Sequence, residues 1–276
     1  MAANPRFSTG EAIDEANAAN FVDFFLSLGA SPGAAREVCD GFVRVSGPIP
    51  HPFYNFIYGF DVVARADDLD RAIGDALAPF RARRCAMMWI VFPKREPDAE
   101  RLEARLVAAG LRLFADYRGM AVDLDALTEP PPPDLTIARV ADEQAMREWV
   151  EVQTACDPEI HQPIEAVRVQ FAAQRGFAVD RPHQMYLAKR VGAPVGCAIL
   201  HVAAGVAGLH QVAVLPEARR RGVARALALR VLSEGRARGC RVGVLHSTPM
   251  AENLYRSIGF CDRPPVKVFV DLPQSA

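Results

Sequence analysis

Val212-Ala213-Val214-Leu215-Pro216-Glu217-Ala218-Arg219-Arg220-Arg221-Gly222-Val223-Ala224-Arg225 reads as the end of a strand, a turn and the start of a helix. A glycine at a helix N-terminus lets an anion approach the backbone, where unpaired N–H groups and the positive end of the helix dipole attract it. Four arginines (219, 220, 221 and 225) add charge around Gly222. The pattern predicts a pyrophosphate cradle. It lacks the Gly-Lys-Ser/Thr of a Walker loop and the three glycines of a dinucleotide turn.

Outward from the cradle, Val223, Ala226, Leu227, Arg230, Val231 and Glu234 recur at helical spacing, which predicts one long helix over residues 222–238 with a mostly apolar face. Upstream, strands are expected at 135–140, 185–191, 195–203 and 206–214, with helices near 142–154 and 164–174. Downstream come a strand at 241–246, a helix at 250–258 and a strand at 266–271, completing an α/β layer. The first half repeats this order. Arg81-Ala82-Arg83-Arg84-Cys85 leads into the apolar run 86–92, as Arg236-Ala237-Arg238-Gly239-Cys240 leads into 242–245. Each run is followed by a proline (Pro93, Pro249) and a helix ending in Gly-apolar (Gly110-Leu111, Gly259-Phe260). A last strand closes each copy, residues 120–124 or 268–272. Four elements in the same order imply two copies of one fold. The proline run 130–133 cannot continue a helix or a sheet ladder and is the expected linker between domains at 1–129 and 134–276.

Composition narrows the partners. A formal charge of -1 over 276 residues excludes a general polyanion binder, so nucleic acid is not an expected partner. Six scattered cysteines without a Cys-x-x-Cys pair predict reduced thiols and no metal site. Residues 191–216 carry no Asp, Glu, Lys or Arg. They are punctuated by Gly192, Pro194, Gly196, Gly205 and Gly208, which suits buried strands joined by turns and not a membrane span. Residues 1–20 lack an apolar core of signal-peptide length, and a cytoplasmic protein without membrane partners is expected. The oligomeric state leaves no trace in the sequence.

Arg219-x-x-Gly222-x-Ala224 resembles the Q/R-x-x-G-x-G/A signature of the GNAT superfamily of acetyltransferases. Asn253-Leu254-Tyr255-Arg256-Ser257-Ile258-Gly259-Phe260 resembles its second motif, on the following helix. The resemblance implies two tandem GNAT-like domains, each a mixed, mostly antiparallel central sheet flanked by helices, with acetyl-CoA as co-substrate. It implies that Val212, Ala213 and Val214 offer backbone groups to the pantetheine arm and that the amides of Arg220, Arg221, Gly222, Val223, Ala224 and Arg225 hold the pyrophosphate. Arg219 and Arg221 would neutralise it, and Asn253 would bind the coenzyme or cap its helix turn. Aligned on the repeat, the first half has Asp67 and Asp68 and no glycine at the arginine loop, and Leu106 in place of Tyr255, so that copy is expected to be degenerate. Its Phe53, Tyr54, Phe56 and Trp89 are candidates for an acceptor wall, with core packing the alternative for Trp89.

Acetyl transfer to an amine needs an unprotonated nucleophile, a stabilised oxyanion and a proton for the departing thiolate. The family assigns the last task to the residue matching Tyr255, a phenol protonated at neutral pH. Many members carry a Glu base on the strand before the cradle; here the segment is Gly208-Leu209-His210-Gln211, so His210 is the candidate base, as a matching His is in arylalkylamine acetyltransferases. His246 and ordered water are the rivals. The expected activity is direct acetylation of a primary amine of a small molecule or peptide in a ternary complex. A non-catalytic acetyl-CoA sensor is the alternative, and the acceptor and acyl length are not encoded in any motif.

Overall fold

In a computed structural model of the chain, residues 9–29, 33–65, 67–96, 98–127, 134–156, 167, 178 and 181–273 are described. The proline run 130–133 and, Val167 apart, the helix expected at 164–174 lie outside them. The chain forms two compact units. One is built from Met1–Phe24 and Gly119–Arg263, the other from Phe25–Arg118 and Pro264–Ala276.

Helix α1 (Gly10–Gly29) opens the chain. β1 (Ala35–Cys39), β2 (Phe42–Ser46), β3 (Phe56–Tyr58), α2 (Leu69–Ala82), β4 (Met87–Val91), α3 (Ala99–Ala108) and β5 (Arg112–Asp123) follow. Then come β6 (Leu135–Arg139), α4 (Glu143–Cys156), β7 (His183–Arg190), β8 (Ala193–Ala203) and β9 (Val206–Val214). α5 (Val223–Ala237), β10 (Val242–Ser247), α6 (Glu252–Ile258) and β11 (Cys261–Asp271) complete it.

In the unit that holds the arginine loop the strand order is β5-β10-β9-β8-β7-β6. β6, β7, β8 and β9 pair antiparallel, while β9 and β10 run parallel because α5 carries the chain back between them. The other unit orders its strands β1-β2-β3-β4-β11, with β3 parallel to β4 across α2 and the rest antiparallel. Each unit is thus an α/β layer with a mixed, mostly antiparallel sheet. The β3–α2–β4 crossover is the counterpart of β9–α5–β10, which gives the sequence repeat its structural meaning. Both crossover helices are amphipathic at helical spacing: α2 buries Leu69, Ala72, Ile73, Ala76, Leu77 and Phe80, and α5 buries Val223, Ala226, Leu227, Val231 and Leu232. β4 reads Met-Met-Trp-Ile-Val and is buried at every position, as a strand covered on both faces must be.

The compact units differ from a division at the proline run. Residues through Phe24 group with the arginine-loop half, and β11 from Pro264 onward groups with the first half. β4 takes β11 as an antiparallel neighbour, from Lys267↔Val91 to Asp271↔Met87. Two ion pairs fix that register, Arg81 Nε to Asp271 Oδ2 at 2.8 Å and Lys267 Nζ to Glu103 Oε2 at 2.6 Å. In the other unit β5 neighbours β10, and just past it the Leu124 N–H donates to the Arg241 carbonyl at 2.9 Å. The closing strands of the two repeats have therefore traded places.

Candidate active site

β8 and β9 pair from Ala203↔Val206 to Ile199↔His210 and resume at Cys197↔Ala213, so Gln211 and Val212 stand opposite the single residue Ala198. This is a β-bulge, with Gln211 at φ +48. A bulge leaves carbonyls outside the ladder, and α4 satisfies two of them. The Trp149 indole N–H donates to the Ala198 carbonyl (3.4 Å) and the Gln153 side-chain amide to the Gln211 carbonyl (2.7 Å). On its other edge β9 pairs with β10 only at Ala207↔Gly243 and Gly208↔Val244. Beyond Gly208 the two parallel strands separate, and the β9 edge along Val212, Ala213 and Val214 has no strand pairing on that side among the described residues. All three residues are partly exposed.

β9 runs into a 3-10 turn, Pro216–Ala218, and then the arginine loop. Arg220 (φ +60) and Gly222 (φ +79) adopt the left-handed conformation, and Gly222 is the N-cap of α5 with no side chain capping the first turn. The amides of Val223, Ala224 and Arg225 therefore stand at an uncapped helix N-terminus, where an anion is the natural partner. Arg219, Arg220 and Arg221 are exposed around it. Arg219 Nε donates to the Val214 carbonyl (3.1 Å), clasping the strand end. Arg190, not singled out from the sequence, donates to the Arg221 carbonyl (3.2 Å) and brings a fifth guanidinium to the loop. Arg225 donates to the Ser257 carbonyl (3.3 Å) and hydroxyl (3.2 Å), tying α5 to α6.

Tyr255, on α6, is 5% exposed, with its ring edge-on to Phe260 at 5.6 Å between centroids. Burial raises its pKa, so the phenol keeps its proton. Asn253 is exposed and accepts a hydrogen bond from Arg256 Nη1 (3.2 Å); the N-cap of its helix is Ala251, so Asn253 does not cap it. Of the aromatic residues considered for an acceptor wall, Tyr54, Phe56 and Trp89 are fully buried in the other unit.

The sheet face opposite α5 carries histidines. His183 on β7 and His201 on β8 are register partners, and His201 pairs with Gly208, two residues before His210 on β9. All three are buried, His210 keeping 9% exposure. Phe24 of α1 stacks on His210 (4.1 Å, 2°) and on His183 (5.4 Å, 10°), and Phe21 meets His246 edge-on at 4.7 Å. Burial, and then the neighbouring His201, hold the His210 pKa well below the usual value; burial holds His246 at about 3. Both imidazoles are neutral at physiological pH. Their fixed surroundings differ: His210 Nε2 lies 2.9 Å from Asn20 Oδ1, whereas His246 Nδ1 is buried without a hydrogen-bond partner.

Residues 144–260 match the model of the acetyltransferase (GNAT) family, a segment that runs from α4 through the bulge, the arginine loop and Tyr255. Solved structures of that class share the fold. A GCN5-related N-acetyltransferase from Kribbella flavida superposes with a TM-score of 0.67 at 18% identity, over 92% of this chain and 95% of that one. A tandem GNAT protein from the clavulanic acid biosynthesis pathway superposes with a TM-score of 0.57 at 15% identity, over 100% of this chain and 98% of that one. A GCN5-related N-acetyltransferase from Sphaerobacter thermophilus gives 0.58 at 18% identity, over 87% and 83%. No curated protein matches the sequence.

Proposed function

We propose that the chain is an acetyl-CoA-dependent N-acetyltransferase that acetylates a primary amine of a small molecule or peptide by direct attack in a ternary complex. One observation carries this reading: the bulged, open edge of β9 leads directly into a left-handed glycine and an uncapped helix N-terminus ringed by arginines. An extended amide-bearing arm ending in a pyrophosphate fits both parts. The edge offers backbone groups at Val212 and Val214, and the amides from Arg220 to Arg225 meet the phosphates.

In the reaction the amine nitrogen forms a bond to the acetyl carbon, and the carbon–sulfur bond breaks. The amine's proton passes to a base, and the thiolate takes one from an acid, so the protein ends with its protons moved but not lost. Tyr255 is the acid, because burial keeps its hydroxyl protonated. His210 is the base. Its ring is neutral at physiological pH, because burial holds its pKa below the usual value, and so has a lone pair free to accept. The first-half copy is degenerate in this reading: at the N-terminus of α2 the N-cap is Asp68, paired with Arg71, where the second copy has Gly222. A carboxylate there repels phosphate, and one coenzyme site per chain follows.

The test is thiol release and product mass with acetyl-CoA and phenethylamine, spermidine, glucosamine or a lysine peptide, on wild type and Tyr255→Phe. Turnover of at least one amine is expected, with the chemical step about 10²- to 10⁴-fold slower in Tyr255→Phe and coenzyme affinity unchanged. One-to-one acetyl-CoA binding without turnover of any amine would make the protein a sensor. An unchanged chemical step in Tyr255→Phe would remove Tyr255 as the acid.

A further inference from the structure

A second feature of the histidine face lies outside both sequence motifs. Asn20, on α1, is fully buried and reaches three groups of the sheet 180 to 190 residues away in sequence. Its Nδ2 donates to the His201 carbonyl (3.0 Å) and the Ala203 carbonyl (3.2 Å). Those two acceptors fix the carboxamide's orientation, because a flipped amide would set its oxygen against both carbonyls. Oδ1 must then face His210 Nε2 at 2.9 Å, and an amide oxygen can only accept. The neutral His210 ring therefore carries its hydrogen on Nε2 and its lone pair on Nδ1.

Two further observations show that the contact is built in. Gly208 lies beneath the carboxamide: a Cβ there would collide with Asn20 Oδ1 and come within 2.6 Å of His210 Nε2, so only glycine leaves room. Phe24, one turn along the same helix, stacks flat on His210 and stops the ring from turning. Asp23 on that helix holds His201 through Nε2 (2.8 Å) and does not touch His210.

We infer that Asn20 is a positioning residue for the acetyl transfer, fixing His210 in the tautomer whose Nδ1 accepts the amine proton. The inference rests on the reading of His210 as the base. In the step, Nδ1 gains the proton, and the Nε2–H bond to Asn20 Oδ1 strengthens as the ring becomes cationic, so the same contact orients the base and steadies its charged form. A carboxamide serves better here than a carboxylate, which would hold the ring protonated before the amine arrives.

The experiment uses the full chain with ¹⁵N-labelled histidine, and long-range ¹H–¹⁵N spectra report which ring nitrogen of His210 carries hydrogen. Wild type should show a single tautomer with hydrogen on Nε2. Hydrogen on Nδ1 would overturn the inference without any variant or substrate. Asn20→Ala should give mixed tautomers, and a single-turnover acetyl transfer about ten- to a hundredfold slower, part of what a general base supplies, with acetyl-CoA affinity unchanged. The probe is whichever of phenethylamine, spermidine and glucosamine wild type acetylates fastest. The wild-type tautomer, read without any variant, covers the case in which Asn20→Ala does not fold; Asn20→Asp keeps an acceptor at Nε2 but turns its second oxygen to the His201 and Ala203 carbonyls, and is compared where it folds. It should restore the tautomer and move the acidic limb of kcat/KM upward by about one to three pH units, which a merely structural contact would not do. His210→Gln separates the two readings. If it slows the chemical step while Asn20→Ala leaves rate and tautomer intact, the positioning role alone falls. If His210→Gln leaves the step unchanged, the base assignment falls and takes the inference with it.

Discussion

Residues 134–276 on their own should not fold, although they contain the whole family match and every residue of the proposed coenzyme cradle. The unit that holds residues 134–263 draws five large buried side chains from upstream: Phe21 and Phe24 of α1, and Met120, Val122 and Leu124 in and just after β5, each no more than 6% exposed. At roughly 1.5 to 3 kcal/mol per buried side chain their removal costs about 8 to 15 kcal/mol, as much as the entire stability of a typical domain. The fragment also leaves the edge of β10 without β5 and sends out β11 without β4. Urea unfolding followed by far-UV circular dichroism, with acetyl-CoA titration by calorimetry, reads both consequences. No cooperative transition and no binding are expected of the fragment, and co-expression of residues 1–129 should restore both. A fragment that unfolds cooperatively near the midpoint of the full chain and binds acetyl-CoA one-to-one would refute the exchange of segments as a source of stability.

Gly222→Asp puts a carboxylate at a left-handed N-cap facing the phosphate position. Folding should survive a cost of about 1 to 2 kcal/mol, while acetyl-CoA affinity falls at least about a hundredfold. Calorimetry against Gly222→Ala separates the charge from the backbone, and near-normal affinity in the folded Asp variant would remove the cradle. Stability should also fall below neutral pH. His183, His210 and His246 all have folded-state pKa values below the unfolded value of about 6.5, so the unfolded chain binds protons that the folded one refuses. The stability is fully present above pH 6.5 and is lost as pH drops toward the folded values. For His246, at about 3, the loss between pH 7 and 5 is up to about 2 kcal/mol. Urea midpoints that stay flat from pH 7 to 5 would contradict the burial of these rings.

Where the chain's chemistry is local, the sequence was legible. β9 and its turn into α5 sit where alternation, Pro216 and Gly222 place them, because strand end, turn residue and helix start are each written within a few positions. The repeat was readable too, since each copy keeps its own order of elements. What escaped is non-local. Nothing in Met120–Leu124 or Val268–Leu272 says which sheet each strand will join, because the same apolar run suits either edge. Trp149 and Gln153 lie on a helix whose spacing marks a buried face, but their donors matter only once a bulge three strands' worth of sequence away has freed two carbonyls. Asn20 is one polar residue on a helix with no clear apolar stripe in its sequence, and its role depends on a glycine and a histidine nearly 190 residues further along. Trp89 went into the core, the alternative its sequence reading held open, and Tyr54 and Phe56 are buried with it, because large aromatics are more often core than lining.

The traded strands also set the order of events on a ribosome. Tandem domains are ordinarily completed in turn, the first closing while the second is still being made. Here β4 emerges roughly 180 residues before the strand that pairs with its edge, a wait of about 9 to 36 s at 5 to 20 residues per second. During that interval the first unit presents an apolar edge. The second unit has all of its residues by Arg263, so the first unit, waiting for the strand from Pro264 onward, is the last to close.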